Sequence, residues 1–467
     1  MAYSSEKPTE ALSKFAASLR FEDIPADVIE SMKLYILDTL GCGLLGSKDP
    51  RNGALVEVVR RMGGTSTSTV WGYDLLTSPS SAALVNGSFV HSYDFDDQCQ
   101  DVGLHAGACA IPAALGYAEY RRGVTGRQLL TSCVAGYEVA MRAGHAVGLE
   151  PLRRGWHPAG FNGTFAAAVA VGKLIDLDQT KMGDAIGLAS TQGAGLMGVQ
   201  YGSDAKGMNC GRAAQGGVMA ALLAELGFKG ISEALERPYG GYAHTLADSP
   251  DLSRITAGLG TSYLTLEKLA LKAYPGVRWV HCPIEAMEEI LAKHPLRAQD
   301  IRRITVLETR IGVDHVGWDY APEGVTSSLC NAAFAIALLL LKGSNDPRLY
   351  NLTLVNDPEI LSLCSKVIVR VDEERERTLP NSMGAVVKVE TVKGEILSAT
   401  VEEPKGTPGK RPMSKADVER KFLNIVDDEE VSDSVREIVY DLEGVKDSSE
   451  LGAALARGRL ATPQRLN

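Results

Sequence analysis

Residues 25–45 read PADVIESMKLYILDTLGCGLL. Ile29, Met32, Leu34, Ile36 and Leu37 fall at near-helical spacing, so the stretch predicts a long helix. Gly41, Gly43 and Gly46 then loosen it or let a neighbouring helix approach closely. The same Ala-, Gly- and Leu-rich texture continues to residue 265 or so. Further helices are predicted over 107–120, 129–149, 163–175, 182–197 and 212–226, and no strand alternation stands out between them. This part reads as an all-helical core.

The pattern changes after Lys268. Strands are predicted over 304–308 (ITVLE) and 366–371 (KVIVRV). The stretches 385–391 (AVVKVET) and 395–401 (EILSATV) flank Lys393-Gly394, which is a hairpin signal. Helices are predicted over 283–293 and 328–342. Strands mixed with helices imply a compact α+β unit. A Pro/Gly/Lys linker, EPKGTPGKRP (403–412), follows. Ser414 can then cap a helix carrying Val418, Phe422 and Ile425, and the tail returns to helix over 432–442 and 450–456. The expected fold class is mainly α: a large all-helical domain from residues 1–267 and 405–467, with a smaller α+β lid domain from 268–404. The helical tail is expected to dock back on the first domain.

At 467 residues the chain is too long for one ordinary core, which agrees with two domains. Its composition, 45% hydrophobic and 23% charged, is that of a globular protein with a sizeable core. The net charge of −10 argues against nucleic acid as a partner but leaves room for a local cationic pocket. The opening MAYSSEKPTE carries no apolar or Arg-rich targeting pattern, and no apolar run is long enough for a membrane span. Cysteines stand at 42, 99, 109, 133, 210, 282, 330 and 364, with no CxxC pair, and are expected to be reduced and buried. A cytoplasmic protein with no membrane partner is expected.

Three stretches combine charge with Gly-rich surroundings. HSYDFDDQ (91–98) is followed by His105-Ala-Gly107. On a helix Asp94 and Asp97 would share a face, with Gln98 one turn from Asp94, to act as base or to orient a histidine; the plainer reading is surface acidity near a helix start. RGWHPAG (154–160) brings His157 to a Gly-rich loop before a helix, a place suited to an anion; the plainer reading is a solvated turn histidine. YGSDAKGMN (201–209) puts Lys206 in a Gly-rich turn, as anion clamp or solvated charge. A fourth stretch, LKAYPGVRWVH (271–281), sets Lys272, Arg278 and His281 around a Pro-Gly turn at the predicted domain seam, where pockets tend to form.

Together these residues suit proton chemistry on a small polycarboxylate. Lysines and an arginine can desolvate and grip carboxylates. Removing a proton or CO2 next to a carboxylate builds enolate charge, which needs nearby donors. A histidine moves the proton near neutral pH. No standard zinc spacing accompanies the aspartates, and there is no GxxxxGK[ST] and no GxGxxG after a strand. DFDD also fits the acid motif of class II terpene cyclases, but aromatics are only 6%, too few for carbocation walls.

At these same residues the chain resembles the MmgE/PrpD family, which includes 2-methylcitrate dehydratases, cis-aconitate decarboxylases and iminodisuccinate epimerases. The matching blocks are FEDIPADVIESMKLYILDTLGCGLLG (21–46), ALVNGSFVHSYDFDD (83–97) with His105, HPAGFNGTFAAA (157–168), DAKGMNCGRAAQGG (204–217), KAYPGVRWVHCPIEA (272–286) and RPMSKADVERKF (411–422). They come in the family's order over nearly the whole chain. The resemblance implies a helical domain with a lid, a homodimer, a cleft between domains, and catalysis without metal or organic cofactor. It implies His105, Asp94, Lys272 and His157 as catalytic positions and Lys206 as substrate-binding, with Lys206 and Lys272 both holding substrate carboxylates and Asp94 orienting the site. His105 would be the leading proton donor or acceptor. Gln98, Arg278, His281 and Asn331 complete the expected substrate contacts. Two positions depart from the decarboxylases: Gln98 stands where they have Thr, and Asn331 where they have Tyr. The expected function is a cofactor-free lyase dehydrating or decarboxylating a small di- or tricarboxylate. The alternatives are an epimerase of a dicarboxylate such as iminodisuccinate, and a non-catalytic polycarboxylate-binding homologue.

Overall fold

The computed structural model of the protein describes residues 7–379 and 382–457. The molecule is mainly α, with a smaller α+β region. The helix at 25–45 runs Ala26–Ser47, with Pro25 as its cap. Its Gly46 lies against the Pro79–Val90 helix, where an added Cβ would sit 1.9 Å from the Phe89 carbonyl oxygen. The Ala205–Glu225 helix approaches Pro79–Val90 at Gly211, where a Cβ would lie 2.1 Å from the Leu84 carbonyl oxygen. Only glycine permits backbone contacts this close. Ala106–Arg121, Gly126–Val147 and Pro158–Ile175 pack into the same body. One apolar core runs through it from Leu12, by way of Leu115 and Phe165, to Leu455.

The C-terminal helices Lys415–Ile425, Glu429–Tyr440 and Ser449–Arg457 join that core. Ser414 accepts the Asp417 N–H to start the first of them. Val418, Phe422 and Ile425, the apolar stripe read from the sequence, are all buried in the core.

A second apolar core gathers Trp279, Ile284, Ile304, Val306, Ile336 and Val387. It lies under a four-stranded sheet ordered Val367–Val371, Ile301–Glu308, Ala385–Thr391, Ile396–Val401. The first pair is parallel and the other two are antiparallel. The last two strands form the expected hairpin, turned by Gly394 at φ +87°. His281–Lys293 packs on that hairpin.

The structure differs from the sequence reading in three places. The helix expected over 182–197 is Gln179–Ala189; beyond it Gly193 packs on Phe161 and Gly195 takes φ +138°, which ends helical geometry. The helix expected over 328–342 is two, Val325–Leu329 and Ala332–Lys342, because the Asn331 side chain accepts the N–H groups of Ala333 and Phe334 and starts a new helix. The helical part also holds short two-residue ladders, Ser68–Thr69 with Leu76–Thr77 and Gln98–Cys99 with Leu269–Ala270. These are too short to print a period-two pattern. The eight cysteines are free and buried. Among the described residues no helix is long and apolar enough to cross a membrane.

Candidate active site

The Pro79–Val90 helix stops just before the acidic stretch, and residues 91–97 form turns. Asp94 takes φ +50°, a left-handed conformation that Asp tolerates better than most residues. Asp94 and Asp97 therefore do not share a helix face, contrary to the sequence reading. Asp97 turns to the Gly107 N–H at 3.0 Å and the Tyr137 hydroxyl at 2.9 Å. There it anchors the start of the Ala106–Arg121 helix.

Asp94 faces two lysines. Lys206 Nζ donates to its Oδ2 at 2.5 Å, and Lys272 Nζ donates to its Oδ1. Lys272 also donates to the Asp94 carbonyl at 2.8 Å and the Gly276 carbonyl at 3.2 Å. Burial works to raise the Asp94 pKa, but Lys206 and Lys272 outweigh it and hold the carboxyl well below its ordinary range. Asp94 is thus an ionised strut between the lysines.

Behind it lies a histidine pair on one carboxylate. His91 Nδ1 is 2.9 Å from Asp96 Oδ1, and His105 Nδ1 is 3.1 Å from Asp96 Oδ2. His91 Nε2 sits 3.1 Å from Lys206 Nζ. An ammonium group only donates, so His91 Nε2 accepts and its proton is on Nδ1, donated to Asp96. Burial, with Lys206 beside it, pushes His91 down to about 4, so the ring is neutral. Burial acts to raise Asp96, yet His105 and His91 hold it well below its ordinary value. Asp96 is therefore the acceptor that fixes both rings. His105 Nε2 is left facing Asp94, 3.8 Å from Oδ1. His157 lies edge-on to His91, with ring centroids 5.5 Å apart. Its buried Nδ1 has no partner, and burial with His91 and Lys206 nearby pushes its pKa well down.

These groups open on a narrow cleft. Asp94, Gln98, His105, His157 and Lys206 line one wall. Leu152, Met197, Val277, Trp279 and His315 line it too, and the first four of these belong to the second apolar core. The Gln98 Oε1 is buried and without a partner. Three long helices begin at the cavity: His105 caps Ala106–Arg121, His157 caps Pro158–Ile175, and Lys206 lies in the first turn of Ala205–Glu225. Helix N-termini carry partial positive charge, so their convergence favours an anion.

The structure thus brings five of the sequence-selected residues to one cavity, with Lys272 bracing Asp94. The other three make different contacts. Arg278 is fully buried, with Nε on Gln100 Oε1 at 2.5 Å and a terminal nitrogen on Thr407 Oγ1 at 2.8 Å. It clasps the 403–412 segment, and burial lowers it to about 10. His281 is buried edge-on to Tyr274, and both ring nitrogens lack hydrogen-bond partners. Asn331 caps its helix and donates to the Trp318 carbonyl at 2.7 Å. Sequence reasoning assigned no role to His91, Asp96 or His315. The first two stood inside the quoted stretch, but their pairing comes from turns, which leave no periodic signal. His315 sits in no motif.

His91, Asp94, Asp96 and His105 each offer one ligand atom within 4.8 Å of one another. A cation there would compete with two ammonium groups on Asp94 and displace the protons that tie both rings to Asp96. The donor set therefore fits a proton network better than a metal centre.

The chain is similar to known proteins over most of its length. The MmgE/PrpD N-terminal domain model matches residues 10–253 and the MmgE/PrpD C-terminal domain model matches residues 274–442. A cis-aconitate decarboxylase-like protein, oryM, of Aspergillus oryzae is 31% identical over 97% of this chain and 98% of its own. A cis-aconitate decarboxylase of Aspergillus terreus is 28% identical over 95% of this chain and 94% of its own. A cis-aconitate decarboxylase of Homo sapiens is 27% identical over 96% and 94%.

Proposed function

The chain belongs to the MmgE/PrpD family, and we propose that it is a lyase that removes CO2 from a small unsaturated polycarboxylate of the cis-aconitate type. One observation carries the reading. His105 is tied at Nδ1 to Asp96 and turns Nε2 into a small cavity beside Lys206, where three helices begin. Relatives named as cis-aconitate decarboxylases support decarboxylation over dehydration.

The chemistry follows from the substrate class. A carboxylate on a carbon next to a C=C bond can leave as CO2. The pair from the broken C–C bond forms the new double bond. The displaced π pair moves to the far carbon, where an adjacent carboxylate spreads it as an enolate. A proton on that carbon completes the reaction. Lys206 and the helix N-termini hold the retained carboxylates and stabilise the oxygen that gains charge, and His105 donates to that oxygen from Nε2 when its ring carries a proton on both nitrogens, the Nδ1–H being held by Asp96. Asp94, braced by Lys272, fixes Lys206 in place. Dimer formation and activity without metal, which the family resemblance implies, belong to the same proposal.

The test is proton NMR in D2O of the purified protein with cis-aconitate, with CO2 trapping, with and without EDTA. An alkene product one carbon shorter, formed in both samples and lost in His105→Ala, is the expected result. Deuterium entering recovered substrate without CO2 release would replace the lyase by an isomerase. No change in any substrate signal would remove the catalytic reading.

A further inference from the structure

Among the described residues, His315 is the one titratable group on the cavity wall that no motif or hydrogen-bond network accounts for. It sits on the short Arg310–Val316 helix, outside the helical core that supplies Asp94, His105, His157 and Lys206. Its helix is fixed firmly. Thr309 accepts the Gly312 N–H, and a Cβ at Gly312 would lie 2.3 Å from Glu308 Oε2 and 2.8 Å from Trp279 Cδ1. The His315 ring meets Trp279 edge-on with centroids 5.3 Å apart. It makes no hydrogen bond to any described residue. Its neighbours on the cavity wall include Leu152, Met197, Val277 and Trp279, which offer it no acceptor. A half-buried imidazole with an apolar bed and free nitrogens has only the cavity contents to bond to.

The wall that holds Lys206 and His105 is suited to gripping carboxylate oxygens. Carbon takes its proton from above or below the conjugated plane, so the reaction calls for a donor besides the groups that grip the carboxylate oxygens. Asn331 cannot supply it, because its side chain is committed to capping a helix and to the Trp318 carbonyl. Building on the decarboxylation proposed above, we propose that His315 is a second acid/base group of the site, the one that protonates carbon. After CO2 leaves, the electron pair at the far carbon takes a proton from the His315 imidazolium. A C–H bond forms, the N–H bond breaks, and neutral imidazole remains to be reprotonated by solvent.

Charge supports this cycle. Burial and Lys206 push His315 down to about 4, with Asp94 acting upward and Lys272 downward. A bound polycarboxylate puts negative charge beside the ring and offsets the lysines. The substrate thereby recruits the proton it will consume.

The experiment pairs two readouts on the full-length protein. In the first, His315→Gln and His315→Ala are compared with wild type on cis-aconitate. The expected result is a kcat loss of about 100-fold or more with KM within about threefold, and partial rescue of the alanine variant by added imidazole. Near-normal kcat in both variants overturns the role. In the second, histidine ring signals are followed by NMR as propane-1,2,3-tricarboxylate, a saturated acid that cannot react, is added. The signal absent from His315→Gln should move towards imidazolium in wild type; no movement overturns the proposal. If wild type fails to turn over cis-aconitate while His315 still gains its proton, the decarboxylase reading fails and the second acid/base group stands.

Discussion

His105 Nδ1 lies 3.1 Å from Asp96 Oδ2, and this contact decides which nitrogen faces the cavity. The ionised Asp96 accepts the Nδ1 proton, so Nε2 is presented to substrate in one tautomer. Asp96→Asn keeps the volume but can offer an amide donor to Nδ1, which would move the proton to Nε2 and turn the ring's roles round. We expect kcat to fall about 100-fold or more, with a much smaller change in KM, in steady-state assays on cis-aconitate. Wild-type kcat in Asp96→Asn would remove Asp96 from the mechanism.

Lys272 donates to both the side chain and the carbonyl of Asp94, a residue held at φ +50°. Lys272→Met leaves a buried carboxylate with one cation fewer and releases the left-handed turn. The expected loss is about 3–5 kcal/mol of stability, read by urea unfolding. Adding Asp94→Asn should recover part of that stability without recovering activity. A single variant as stable as wild type would show that the strut is ornamental.

The sign of the pH dependence follows from His91. Its pKa is lowered to about 4 in the folded protein by burial and by Lys206, against about 6.5 in an unfolded chain. Its contribution to stability is fully present above pH 6.5 and is lost as pH falls towards 4, because only the unfolded chain takes the proton readily there. The size is at most roughly 3.5 kcal/mol at about 1.4 kcal/mol per pH unit. His157, also depressed by burial and by His91 and Lys206, acts in the same direction. Denaturant midpoints between pH 7 and 4 should therefore drop, and His91→Gln should drop less steeply. An equal slope in the variant would place the acid lability elsewhere.

Much of the fold was legible because its signals are local. The hairpin 385–401 announced itself by period-two alternation on either side of Lys393-Gly394, and the tail helix by Ser414 ahead of Val418, Phe422 and Ile425. The cavity residues His105, His157 and Lys206 were legible because each sits beside glycines at the start of a helix, and Asp94 because it stands in an acidic run just after one. Their connections were not. Residues 91–97 fit a helix by spacing, yet they turn, and the turn alone brings His91 and His105 to Asp96. Arg278 and Asn331 illustrate the converse. Nothing in a sequence tells a guanidinium committed to Gln100 and Thr407, or an amide committed to a helix start, from one turned to substrate. His315 reaches the cavity only through the packing of the second core.

Gln98 lines the cavity, and its buried Oε1 has no partner. The family resemblance implies Thr at this position. Gln98→Thr removes the unsatisfied amide and enlarges that wall. The expected change is a roughly tenfold rise in kcat/KM for a tricarboxylate relative to a dicarboxylate, the scale on which a pocket distinguishes small groups. A panel of acids of both sizes, assayed with both proteins, measures it. An unchanged ratio would mean that Gln98 does not set the size of the substrate.

The last prediction concerns a residue far along the chain. Lys421, on the C-terminal helix Lys415–Ile425, is buried and pairs with Asp38 at 2.7 Å. It also donates to the Phe95 carbonyl at 2.6 Å, between Asp94 and Asp96. The tail thus holds the backbone of the loop that carries the site's carboxylates. Lys421→Met strands Asp38 in the core, and a loss of about 3–5 kcal/mol is expected. The double variant Lys421→Met, Asp38→Leu removes both charges and should regain most of that stability, since a buried pair replaced by apolar groups is often neutral. It does not give Phe95 its donor back. If the tail positions the site, the double variant folds stably yet keeps a kcat reduced about tenfold or more. If the tail serves stability alone, kcat returns together with the unfolding midpoint. The two outcomes separate a brace for the fold from a brace for the chemistry.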